Sequence, residues 1–126
     1  MLPLLVEACP GYEADWKQFV TDYADDPGPF FYIAITQFSR CLSRALASGD
    51  RETISRVFDL LERFITDGDA EVQEAAVVGI IKNLQNASLH DVTAPDDYLP
   101  YLLPETRRWW AKVRTFWTNG RLLIED

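Results

Sequence analysis

Apolar residues recur along this chain at helical spacing, and proline or glycine interrupts the pattern wherever a helix has to end. Leu2 to Cys9 is long enough for one short helix, which Pro10-Gly11 breaks. From Tyr12, the positions Tyr12, Trp16, Phe19, Val20 and Tyr23 share a face, with Glu13, Asp15, Lys17 and Asp22 mostly opposite. The pattern predicts an amphipathic surface helix with an acidic outer side. Asp25-Asp26-Pro27-Gly28-Pro29 stops it, because proline lacks a backbone donor and constrains the residue before it.

Two longer helices follow. In FFYIAITQFSRCLSRALAS the inward stripe contains Ile35, Phe38, Leu42 and Leu46, and in RETISRVFDLLERFIT it contains Ile54, Val57, Phe58, Leu61 and Phe64. Gly49-Asp50 between them predicts a left-handed glycine stop followed by an aspartate N-cap. Gly68-Asp69, 19 residues further on, predicts a second use of the same device, so that successive helices run antiparallel. After Asp69 the polar positions narrow to a strip of Glu71, Glu74, Val78, Lys82 and Gln85, and apolar residues cover the rest of the circumference. Such a helix must be surrounded by others.

Pro95, Pro100 and Pro104 punctuate the next stretch, which predicts a loop with one short helix near Asp96 to Leu102. The last helix runs from Pro104 to Asn119-Gly120, with Trp109, Val113, Phe116 and Trp117 inward and Arg107, Arg108, Lys112 and Arg114 largely outward. Residues 121–126 read as a tail. The expected fold is all-α: one compact domain over residues 1–126, a bundle of about five or six antiparallel helices.

Charge narrows the list of partners. Twelve bases against twenty acids leave a net charge of -8 and a pI near 4.5, which disfavours nucleic acid and anionic lipid and favours basic proteins. The imbalance is uneven: residues 1–30 carry six acids against Lys17, whereas residues 104–121 carry five bases against Glu105. A basic last helix docked on the acidic amino-terminal one is the expected result. The opening MLPLLVEACPG has no basic start and only a short apolar run, and no apolar run approaches the roughly 18 residues that span a bilayer. A cytoplasmic protein with no membrane association is expected, its two cysteines, Cys9 and Cys41, being packed free thiols.

Candidate chemistry is sparse. The chain lacks HExxH, zinc-type Cys/His spacing, a Walker loop, GxGxxG and GxSxG, and His90, its one histidine, stands in a polar loop. Asp67-Gly68-Asp69-Ala70-Glu71 imitates the start of a calcium loop, but Gly is second instead of sixth and Val78 stands where the closing Glu belongs. We therefore expect no enzyme, no metal and no cofactor. Trp109-Trp110 among bases is the one aromatic-basic patch, and overall acidity argues against nucleic acid there. Asp15, Asp22, Asp25 and Asp26, with Tyr23 and Tyr32 nearby, are either solvated surface or the docking site for a basic protein, and Val78 on the polar strip is a lesser contact of that kind. Exposed tyrosines equally suit a homodimer.

The segment LLERFITDGDAEVQEAAVVGIIKNL resembles one unit of the HEAT repeat family, with Gln73 where that family usually has arginine. Across residues 3–119 the order of parts is similar to small, acidic, all-helical bacterial proteins taken for immunity proteins of polymorphic toxin systems: an acidic Tyr/Trp-bearing helix, a Pro-rich break, a Gly-Asp hairpin, GDAEVQEAAVVGIIKNL and LLPETRRWWAKVRTFW. That resemblance implies an antitoxin-like inhibitor that binds a cognate toxin through its acidic surface. A HEAT-like adaptor for endogenous proteins is the alternative.

Overall fold

The computed structural model describes residues 2–22, 31–86 and 92–119, with side chains at 4–22, 33–86 and 92–115. The fold is all-α, and no strand occurs among the described residues. Helix α1 (Leu2–Ala8) leads through a 3-10 turn (Pro10–Tyr12) into α2 (Glu13–Asp22); α3 (Phe31–Ala47) and α4 (Arg51–Asp67) form a hairpin. A continuous rod follows, made of α5 (Ala70–Glu74), a π-helix (Ala75–Ile81) and α6 (Lys82–Leu84). A 3-10 helix (Pro95–Tyr101), where the prolines predicted a short helix, precedes α7 (Pro104–Asn119). The carboxyl-terminal tail, the Pro27–Pro29 break and His90 lie outside the described residues.

The two Gly-Asp turns share their caps and differ in their glycines. Gly49 has φ of 78°, and its N–H donates to Leu46 while that of Asp50 donates to Ala45, which satisfies the last carbonyls of α3. Asp50 then accepts from the Thr53 N–H at 3.2 Å, and Asp69 accepts from Val72 at 2.9 Å. Gly68, however, is extended, with φ of -74° and ψ of 156°. It is there for space: a Cβ would collide with the Phe64 carbonyl oxygen and come within 2.7 Å of Val72 Cγ1. The second turn is therefore not a copy of the first.

Helix α4 is the hub, packing on α1, α3, α7 and the rod. Its stripe of Ile54, Val57, Phe58, Leu61, Phe64 and Ile65 is buried, and Phe58 meets Tyr98 at a tilt while Tyr98 meets Trp110 edge-on, a chain of rings that joins α4 to the 3-10 helix and α7. Losing a ring of that size from the core typically costs about 3–5 kcal/mol. In the rod, Ala76, Val77, Gly79, Ile80 and Ile81 are all buried against α3, α4 and α7. The π-helix was not legible as such, because an apolar run reports burial and not which carbonyl each amide finds. On the other side of α3, Tyr12 is fully enclosed, donates its hydroxyl to the Ala34 carbonyl at 2.8 Å and meets Phe38 edge-on.

Two expectations about α7 are corrected. Among the described side chains its inward stripe is Thr106, Trp110 and Val113, a spacing of four and three. Val113 is buried as expected, Trp109 is only half-buried against the core about 100° round the helix, and the side chains of Phe116 and Trp117 lie outside the described residues. The helix also packs on α4 and the π-helix, whereas α2 packs on α1, the Pro10–Tyr12 turn and α3. Among the described residues, the ion pairs at the two ends of the sequence are made with near neighbours: Lys17 with Glu13, Arg108 with Glu105 and Arg114 with Asp96. Apolar burial outweighs a solvent-screened attraction between helices, so it decides which face α7 presents.

Candidate functional site

The acidic face of α2 is what its amphipathic pattern leaves outside. Trp16 and Phe19 stack with centroids 5.9 Å apart on the inner side, with Phe19 buried, so the carboxylates are held outward. Glu13 pairs with Lys17 at 3.0 Å, one turn along, and both side chains are mostly exposed, so the pair contributes little stability. Asp15 is half-buried; Asp22 is exposed and accepts from Gln18 Nε2 at 2.8 Å. Val20 is also exposed, 44% accessible, on the other side of the helix from Asp15 and Asp22. Asp15 and Asp22 lie seven residues apart, two turns on one face of α2.

Of the remaining predicted contacts, Val78 is the one whose side chain is described. Tyr23, Asp25 and Asp26, and the side chain of Tyr32, lie outside the described residues. Val78 is half-buried in the π-helix and packs against the core, on a rod that shares α3 with α2 as a common neighbour.

The aromatic-basic patch on α7 is engaged with its own surroundings. Arg108 binds Glu105 at 2.8 Å, Arg114 pairs with Asp96, and Arg107 reaches the Leu102 carbonyl at 3.3 Å. The Trp109 ring is flanked by cations, with the Arg108 guanidinium 5.1 Å and the Lys112 ammonium 4.6 Å from its centroid. Bases committed to neighbouring acids and an indole offer less to a phosphate backbone.

A third location appears only in three dimensions. Cys9, at the end of α1, and Cys41, in the middle of α3, line one cleft of about 340 Å³ with Gly11, Arg44, Asp50 and Thr53. The backbone of the Pro10–Tyr12 turn approaches so closely that a Cβ on Gly11 would lie 3.4 Å from Cys41 Sγ. Hydrogen bonding from the neighbouring Cys9 thiol, assisted by the Arg44 charge and opposed by burial and Asp15, favours the Cys41 thiolate and holds Cys41 below the ordinary thiol range. Cys9 moves the opposite way, raised by Cys41 and by burial. Both thiols are free. At the rim, Asp50 is held below the usual carboxylate range by the Thr53 hydroxyl and N–H that it accepts from. Sequence reasoning treated the two cysteines separately, because 32 positions part them and nothing local signals their meeting.

No cluster of three or more His, Cys, Asp or Glu suited to a metal ion occurs among the described residues, and none of their helices is long and apolar enough to cross a membrane. No curated protein and no solved structure matches the chain. A family model does, over residues 2–118, and it takes in every helix from α1 to nearly the end of α7. The chain belongs to the family described as a domain of unknown function, DUF7674.

Proposed function

We propose that this protein is a cytoplasmic, antitoxin-like binding protein that neutralises a basic partner, a cognate toxin domain, by occupying its functional surface. The observation that carries this reading is the carboxylate row on α2, where half-buried Asp15 and exposed Asp22 stand two turns apart on one side of the helix. Such a row, on a chain of net charge -8, steers a cationic partner into encounter and pairs with its bases once it has docked. Catalytic machinery is not part of the proposal, since binding alone suffices for inhibition.

Co-expression with the product of the neighbouring gene tests it. Cells are expected to survive only when this protein is present, and purified partners are expected to associate more weakly as salt rises. Survival unchanged by its presence, or association insensitive to salt, removes the reading. A second reading, a HEAT-like adaptor, draws support from the pairing of α4 with the Ala70–Leu84 rod through the tight Gly68-Asp69 turn. Pull-down from the native host that retains two endogenous proteins at once, and no toxin, favours it.

A further inference from the structure

We propose that the Cys9–Cys41 pair is a modification site, at which a small hydroperoxide entering the cleft oxidises Cys41 and Cys9 then closes a disulfide with it. The inference is independent of any partner protein. It stands on the convergence of two sulfurs from separate elements on one solvent-open cleft, with a guanidinium on the wall.

The cleft distinguishes the two thiols. Cys41 keeps 6% of its surface accessible and Cys9 1%, so an oxidant meets Cys41 first. The charged and titratable groups acting on it are Cys9, Arg44 on its own helix and Asp15 from α2; it acts in turn on Tyr12 of the 3-10 turn, while Asp50, before α4, acts on Cys9. The Cys9 thiol and Arg44 stabilise a Cys41 thiolate, and Asp15 opposes it. Cys9 is placed to act second: its N–H is fixed to Leu5 at 2.9 Å and its carbonyl accepts from Tyr12 at 2.9 Å, so the backbone on either side is anchored.

The chemistry balances with peroxide as the oxidant. The Cys41 thiolate attacks one peroxide oxygen, a sulfur–oxygen bond forms, the oxygen–oxygen bond breaks, and hydroxide leaves; Cys41 is now a sulfenic acid. The Cys9 sulfur then attacks Cys41, the sulfur–sulfur bond forms, and the sulfenic oxygen departs as water with the Cys9 proton. Two electrons pass from the thiols to peroxide. A dithiol reductant reverses the change by exchange. The product ties the α1 end of the chain to α3 across a closed loop of 33 residues, counting both cysteines, and constrains the unfolded state accordingly.

Intact-mass analysis of the full-length, reduced protein treated with hydrogen peroxide tests the proposal. The expected product is a monomer lighter by two hydrogen atoms, restored by dithiothreitol, that melts several degrees higher than the reduced form under non-reducing conditions. Cys9→Ser should stop at a Cys41 sulfenic acid that dimedone traps, with Cys9→Ala as a second variant if serine perturbs folding. Cys41→Ser should react roughly tenfold more slowly, as the loss of a thiolate predicts. Thiols that react only after denaturation, separate over-oxidation without a crosslink, or dimers joined between chains would each overturn the site; the wild-type mass spectrum decides this even if no variant folds.

Discussion

The Glu62 carboxylate on α4 caps α7 from 44 residues away, accepting the Thr106 N–H at 2.8 Å with one oxygen and the Glu105 N–H at 3.0 Å with the other. Thr106 completes the arrangement by exchanging hydrogen bonds with Leu103, 2.7 Å from its N–H and 2.9 Å to its carbonyl. A carboxylate at a helix N-terminus satisfies orphaned donors and meets the positive end of the helix dipole. Glu62→Ala should therefore destabilise the fold by about 1–2 kcal/mol, the scale of a lost N-cap. Urea titration checks this: the midpoint should fall with an unchanged slope, and Glu62→Gln, which keeps one acceptor, should fall between.

The two turn glycines should fail for different reasons. Gly49 sits at φ of 78° with nothing within 4 Å of a hypothetical Cβ, so Gly49→Ala meets only the left-handed penalty of about 1–2 kcal/mol. Gly49→Asn should recover much of it, because asparagine tolerates that region. At Gly68 the Cβ itself has no room, and both Ala and Asn should destabilise by about 1–3 kcal/mol. Thermal melts of the four variants separate conformation from collision.

Burial sets the alkaline limit of stability. Tyr12 and Tyr98 are both raised above their ordinary 10.0, chiefly by desolvation and then by neighbouring groups, Asp15 for Tyr12 and Cys9 for Tyr98. Above 10.0 the unfolded chain gives up these protons while the folded chain keeps them, so the unfolded state binds fewer and stability falls as pH rises towards the folded values. Asp50 acts in acid with the opposite sign: its lowered carboxyl contributes above the ordinary 3.8, and that contribution is lost as pH falls through the folded value. Denaturation midpoints followed across both ranges should show the two declines, and Tyr12→Phe should flatten the alkaline one.

Replacing the α2 carboxylates separates binding from folding. Asp15→Asn with Asp22→Asn should leave stability within about 1 kcal/mol, since Asp15 is half-buried with no ion pair among the described residues, Asp22 is exposed, and asparagine can still accept from Gln18 at position 22. Association with a basic partner should slow by about tenfold at low salt, the effect expected of rim charges on encounter rate. Stopped-flow association and a melting curve on the same sample provide both readings; a normal rate would dissociate α2 from recognition.

What could be seen in the sequence was whatever repeats locally. The buried stripe of α4 and the caps at Asp50 and Asp69 follow from spacing and from residues three positions apart. The phase of α7 was misjudged because Trp109 and Trp110 are equally apolar neighbours, and buried Thr106, the residue that decides between them, reads as polar until Glu62 is placed beside it. The thiol cleft was invisible for a similar reason: Cys9 and Cys41 acquire meaning only when the Pro10–Tyr12 turn lies against α3. Of the acidic site, Asp15 and Asp22 could be placed on the outer face from the period of α2, while nothing in that period relates them to Val78.

The π-helix gives the rod room for a one-residue change in length. Within it the Lys82 N–H reaches back five residues to the Val77 carbonyl, which sets the rotational phase of everything after Ile81. Gln85, at the end of the rod, donates to the Trp110 carbonyl at 2.8 Å and so fastens it to α7. Removing one residue between Ala75 and Ile81 would let the segment close as an ordinary α-helix, whose larger turn per residue makes up most of the lost step and keeps Gln85 facing Trp110. Homologous chains are thus expected to differ there by single-residue changes in length as well as by substitution.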